Sequence, residues 1–140
     1  MFRRTLIGAA LAAFIAIPAI AQAVEPEAPH ASWCMLASLQ VTQVGSLYTR
    51  VGAGKGVTQR FAGAQVFVPA QQGLTAEWIQ ANVQRHIAEA KMGRSYDCPL
   101  DLDGISVNVV SGGTGFWIQI SSQSNDTAKE ILNRARRLVR

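Results

Sequence analysis

The sequence predicts a two-layer α+β domain, an antiparallel sheet of about four to five strands with two helices packed on one face. Three observations carry this reading. Segments around Val66, Val107 and Ile118 alternate apolar and polar residues, the period of strands that bury only one side. Segments beginning near Thr75 and Thr127 instead space their apolar residues by three and four, as helices with one buried stripe do. The segments follow one another as ββ(β)α and then ββα, so a hairpin precedes each helix.

The first 23 residues read as a signal peptide rather than as part of the fold. Arg3 and Arg4 form a positive start, Leu6 to Ile17 is apolar, and Pro18 precedes the small-residue site Ala21-Gln22-Ala23. Cleavage after Ala23 leaves 117 residues, Val24 to Arg140, enough for one domain. The same apolar run is short for a membrane anchor and ends in a helix-breaking proline, so no transmembrane span is expected after cleavage. The expected location is periplasmic or secreted. Without Arg3 and Arg4, the 13 basic residues become 11 against 9 acidic, a net charge of +2. That is too small a surplus to suggest nucleic-acid binding, although the full chain has a pI near 9.6. Residues 24–32, VEPEAPHAS, carry two prolines and no apolar period and read as a flexible tether.

From Trp33 onward the elements can be taken in order as a single domain, 33–140. Leu39 and Val41, then Leu47, Thr49 and Val51, alternate on either side of Gly45-Ser46, which predicts a short hairpin turning there. Gly52 to Gly56 is glycine-rich around Lys55 but lacks the spacing of a phosphate loop, and reads as a flexible hairpin tip. Ala64, Val66 and Val68 alternate into Pro69, a strand that the proline ends or places at an edge. Thr75 is the expected cap of a helix running to about Lys91 and closed by Gly93. On that helix His86 falls in the apolar stripe with Ile79, Val83 and Ile87, and Trp78 lies to the side.

A loop containing Cys98-Pro99 leads through Asp103-Gly104 into the second hairpin. Ile105, Val107 and Val109 share a face, and so do Phe116, Ile118 and Ile120 across the Ser111–Gly115 turn. Thr127 and Glu130 have the spacing of a capping box opening the last helix. Its stripe is Ala128, Ile131, Leu132, Ala135 and Leu138. The segments LQVTQVGSLYTRV and ISVNVVSGGTGFWIQI share a pattern, which suggests a duplicated hairpin–helix unit. At Cys98-Pro99-Leu100, Gly113-Thr114-Gly115-Phe116 and the arginine-bearing last helix, the chain resembles small exported bacterial proteins without a characterised activity. The resemblance covers about the last 55 residues.

The functional expectations rest on few residues. In an oxidising compartment Cys34 and Cys98 are expected to pair. His30, Cys34, Met35, His86, Met92 and Cys98 are also the groups able to bind a soft metal, with His86, Met92, Cys98 and Cys34 the candidate ligands for copper or zinc. No compact ligand motif groups them, and no cofactor is otherwise expected. A thiol enzyme would use Cys98 as nucleophile, His86 as base and Asp97 or Asp101 as orienter, a weaker reading because Cys98 has a partner. Asp97, Asp101 and Asp103 resemble a calcium loop only in part, since Pro99 interrupts the ligand positions. Arg134, Arg136, Arg137 and Arg140 complement the end of the last helix, with contact to an anionic surface as the alternative. The polar sheet face with Trp117, Gln119 and Asn108 is the candidate binding face, for a small ligand, an envelope protein or a second copy in a homodimer. A non-catalytic binding or accessory protein of the envelope is the leading expectation.

Overall fold

The computed structural model describes residues 34–90 and 97–139. The expected signal peptide and the expected tether with His30 lie outside these residues, as do Met92 and Gly93, the latter expected to close the helix. The described chain runs α1 (Met35–Ser38), β1 (Gln43–Val51), a 3₁₀ turn (Gly54–Gly56), β2 (Thr58–Pro69) and α2 (Ala76–Ala90). A second 3₁₀ turn (Pro99–Asp101), β3 (Ile105–Ser111), β4 (Gly115–Ser122) and α3 (Asn125–Arg136) complete it. The strands form one antiparallel sheet in the order β1-β2-β4-β3, so the expected α+β class holds.

The two hairpins meet through β2 and β4, with Val66 opposite Ile118 and Ala64 opposite Ile120. Each helix then packs mainly on the strands of the other hairpin. The helix after the first hairpin, α2, lies along β3, while α3 lies across β2 and also touches β4 and β1. Between helices and sheet sits the core. Val66, Val68, Ile79, Val83, Ile118, Ile120 and Ile131 are fully buried, and Leu36 of α1 is sealed among them. Each such side chain stabilises the fold by about 1.5–3 kcal/mol relative to exposure. Met35 is buried in the same cluster and fills core space.

The first hairpin differs from expectation. No turn forms at Gly45-Ser46, because β1 continues through it, with Gly45 opposite Gln65 and Ser46 opposite Ala64. The chain reverses at the Gly52–Gly56 tip instead, where Gly52 (φ 104°) and Gly54 (φ 63°) take left-handed backbone. The long β2 decides this: a turn at Gly45 would leave half of its backbone without a partner. Leu39 and Val41 precede the strand and pack against the core. The register slips once, at Leu47/Tyr48, leaving Ala62 as the extra residue of a bulge.

Both long helices carry N-caps. The Trp78 backbone N–H donates to Thr75 Oγ1 at 3.1 Å, as expected for α2. The start of α3 differs. Ser124 is its cap, accepting from the Thr127 N–H at 3.3 Å, so Thr127 lies inside the first turn. Glu130 therefore does not close a capping box and turns along the helix to Arg134. Ser124→Ala is expected to cost about 1 kcal/mol and Thr127→Ala much less, read from urea unfolding midpoints.

Candidate functional site

The side chains with chemical potential gather where α1, α2, the second 3₁₀ turn and α3 converge. Cys34, at the start of α1, is bonded to Cys98, the pairing expected of the two cysteines. Cys98 is fully buried, and Pro99 and Leu100 seal the turn after it. His86 reaches this point from the buried side of α2. Its Nε2 stands 2.9 Å from Asp101 Oδ1 and 3.6 Å from Cys98 Sγ. From α3, Arg134 donates to the Cys98 carbonyl at 3.2 Å while its Nε donates to Glu130 at 2.7 Å. Three elements, α1 through Cys34, α2 through His86 and α3 through Arg134, thus hold one loop in place.

This arrangement bears on each catalytic reading. One ring nitrogen of His86 faces both Cys98 and Asp101, whereas a nucleophile–base–orienter relay needs the two partners on opposite nitrogens. The bonded Cys98 carries no free thiol in this state. Asp97 turns away to Arg137, 3.4 Å distant at an exposed position, and Asp101 turns inward to His86. The calcium-loop carboxylates therefore do not face a common centre. Among the C-terminal arginines, Arg134 braces the loop and Arg137 pairs with Asp97; Arg140 is not described.

His86, Cys98 and Asp101 do form a compact donor group, their ligand atoms all within 4.8 Å of one another. The sequence reading included His86 and Cys98 as ligands but assigned Asp101 to another role. Its position next to His86 depends on the 3₁₀ turn, which no local pattern announced.

The other candidate is the sheet face away from the helices. Cross-strand pairing lays its side chains in three rows. Gln43, Phe67, Trp117 and Val110 form one; Gly45, Gln65, Gln119 and Asn108 the next; Leu47, Gly63, Ser121 and Ser106 the third. Among these described rows no side chain is charged. The Phe67 and Trp117 rings pack at 4.8 Å. Trp117 also lies against Gly112, where a β-carbon would come within 2.7 Å of its ring. Asn108 donates to Gln119 at 3.5 Å, and Val110 is 40% exposed. The expectation singled out Trp117, Gln119 and Asn108, and the register places all three together. It missed Gln65, Phe67 and Val110, although Gln65 and Phe67 alternate with the apolar residues of β2.

One edge of this sheet is closed. Gln80 of α2 donates to the Val107 carbonyl at 3.2 Å and accepts from the Val109 N–H at 2.9 Å, occupying backbone groups of the outer strand β3. A helical side chain thereby blocks strand addition there.

Comparisons of the chain with protein families, with curated proteins and with solved structures found no match. Among the described residues no helix is long and apolar enough to cross a membrane.

Proposed function

We propose that this is an exported, non-catalytic binding protein of the cell envelope whose open sheet face holds a neutral, hydroxyl-rich ligand, a glycan chain. The observation that carries the reading is the row pattern: aromatic, amide and hydroxyl side chains in register, with no charge among them. Amides and hydroxyls both donate and accept, which suits sugar hydroxyls, and the Trp117 ring offers an apolar surface for a sugar ring. A charged ligand would lose hydration over these rows, where the nearest charge, Arg60 beside the third row, already donates to the Gln123 and Ser122 carbonyls. Strand spacing and residue rise make the three rows roughly 14 Å on a side, enough for a short oligosaccharide. The disulfide fits an oxidising compartment, where such polymers are exposed.

The test is titration of isotope-labelled protein with neutral oligosaccharides, chitotetraose and cellotetraose, followed by amide NMR shifts. Shifts concentrated on Gln65, Phe67, Asn108, Trp117 and Gln119 are expected. Trp117→Ala should raise Kd tenfold or more, which corresponds to about 1.4 kcal/mol. Gln119→Ala provides a second variant that leaves the aromatic pair intact. Unshifted resonances with every oligosaccharide, together with concentration-dependent sedimentation as a dimer, would assign the face to a second copy and overturn the glycan reading.

A further inference from the structure

We propose that, when Cys34 and Cys98 are reduced, they bind one zinc ion together with His86 and Asp101, so that disulfide and zinc site are alternative states of one loop. This is independent of the sheet-face reading.

The spacing of donors supports it. Zinc bonded to a thiolate at about 2.3 Å and to an imidazole nitrogen at about 2.05 Å, at the tetrahedral angle, places those two donors about 3.6 Å apart. Cys98 Sγ and His86 Nε2 stand 3.6 Å apart. Asp101 Oδ1 is 2.9 Å from the same nitrogen and needs to withdraw by only a few tenths of an ångström to share the ion. The fourth donor is Cys34, whose sulfur is bonded to that of Cys98 but lies outside the compact group of His86, Cys98 and Asp101, so it swings toward the ion once the bond is reduced. Two thiolates, one imidazole and one carboxylate make a donor set that suits zinc. Structural zinc sites are four-coordinate and closed to solvent, and Cys34, Cys98 and Asp101 are buried here with His86 half-buried beside them. Two zinc thiolates stand about 3.8 Å apart, whereas disulfide sulfurs stand about 2.05 Å apart, so one state excludes the other.

The conversion balances with a dithiol reductant. Its thiolate attacks Cys34 Sγ, the sulfur of the less deeply buried cysteine, at 8% exposure against 0% for Cys98. The S–S bond breaks and its electron pair leaves on Cys98. The second thiol of the reductant then releases Cys34 from the mixed disulfide and leaves the reductant oxidised. Zinc displaces one proton from each cysteine thiol, giving two protons per ion bound. For His86 to bind through Nε2, its ring proton resides on Nδ1.

The experiment compares oxidised protein with protein reduced by a phosphine and refolded without oxygen, each given zinc and measured by native mass spectrometry. Cobalt(II) serves as the optical probe of thiolate ligation. One zinc per chain is expected in the reduced protein and none in the oxidised. The reduced cobalt form should show tetrahedral d–d bands and thiolate charge transfer. His86→Gln and Asp101→Asn should each weaken zinc binding tenfold or more, with the oxidised forms of both variants melting cooperatively to show intact folding. Equal zinc binding by oxidised protein overturns the proposal. So does reduced-state binding that both variants leave unchanged, since the thiols alone would then suffice. A reduced chain that binds no zinc overturns it as well.

Discussion

Reducing the Cys34–Cys98 bond, with a chelator present to remove metal, is expected to lower the unfolding free energy by about 4 kcal/mol. The bond closes a loop of 64 positions, and releasing it restores that conformational freedom to the unfolded chain. For a domain of this size that is a large share of a total stability of about 5–15 kcal/mol. Urea unfolding of the oxidised protein, the reduced protein and the Cys34→Ala/Cys98→Ala double variant separates the contributions. The reduced protein isolates the loop term, and the double variant adds the loss of two buried sulfurs. A change below about 1 kcal/mol on reduction would mean that α1 is held by Met35 and Leu36 alone and that the clasp is dispensable.

Gly63→Ala is the second substitution expected to act strongly, with a cost of about 3 kcal/mol or more, or failure to fold. Gly63 lies in β2 opposite Ser121, with φ of 148°, where an added β-carbon would come within 2.2 Å of the Ile120 carbonyl oxygen. That obstacle is backbone in the neighbouring central strand and cannot rotate away. Relief would require β2 and β4 to separate at the seam joining the two hairpins. Gly54→Ala is the control. It has φ of 63° but open space around it, so it should cost only about 1–2 kcal/mol. Equal effects at the two positions would show that backbone conformation, rather than strand contact, sets the cost. Thermal and urea unfolding of both variants decide it.

A smaller effect concerns acid. The Arg134 hydrogen bond holds the Glu130 carboxyl below its ordinary value. A depressed carboxyl stabilises the fold above its unfolded-state pKa and loses that contribution as the pH falls through the lower folded value. Wild-type melting should therefore decline more steeply than that of Glu130→Gln from about pH 5 downward. The difference is expected to be small, because Glu130 is exposed.

The legibility of this fold followed the range of the interactions. Alternation in Ala64-Val66-Val68 and Phe116-Ile118-Ile120 marked the inward faces of the central strands, and Ile79-Val83 and Ile131-Ala135 marked the helix stripes. Those patterns are local, since side-chain direction is set by strand and helix period alone. The cysteine pair was also readable, because redox compartment and a count of two leave few alternatives. The first hairpin was misplaced because Gly45-Ser46 carries turn residues, while strand continuity there depends on backbone partners offered by β2. The start of α3 shifted because Ser124 and Thr127 are both cap residues, and only the path leaving Ser122 chose between them.

By itself, then, the sequence determined the α+β class, the inward and outward sides of β2, β3 and β4, and the tie between Cys34 and Cys98. Tertiary structure alone decided the pairing of β2 with β4, the exchange of helices between hairpins, and the Gln80 bridge to β3. It also brought Asp101 to His86 and set Phe67, Trp117 and Val110 in one row. Each of these joins segments distant in the chain through backbone register or a turn, and such contacts leave no periodic trace in the residues on either side.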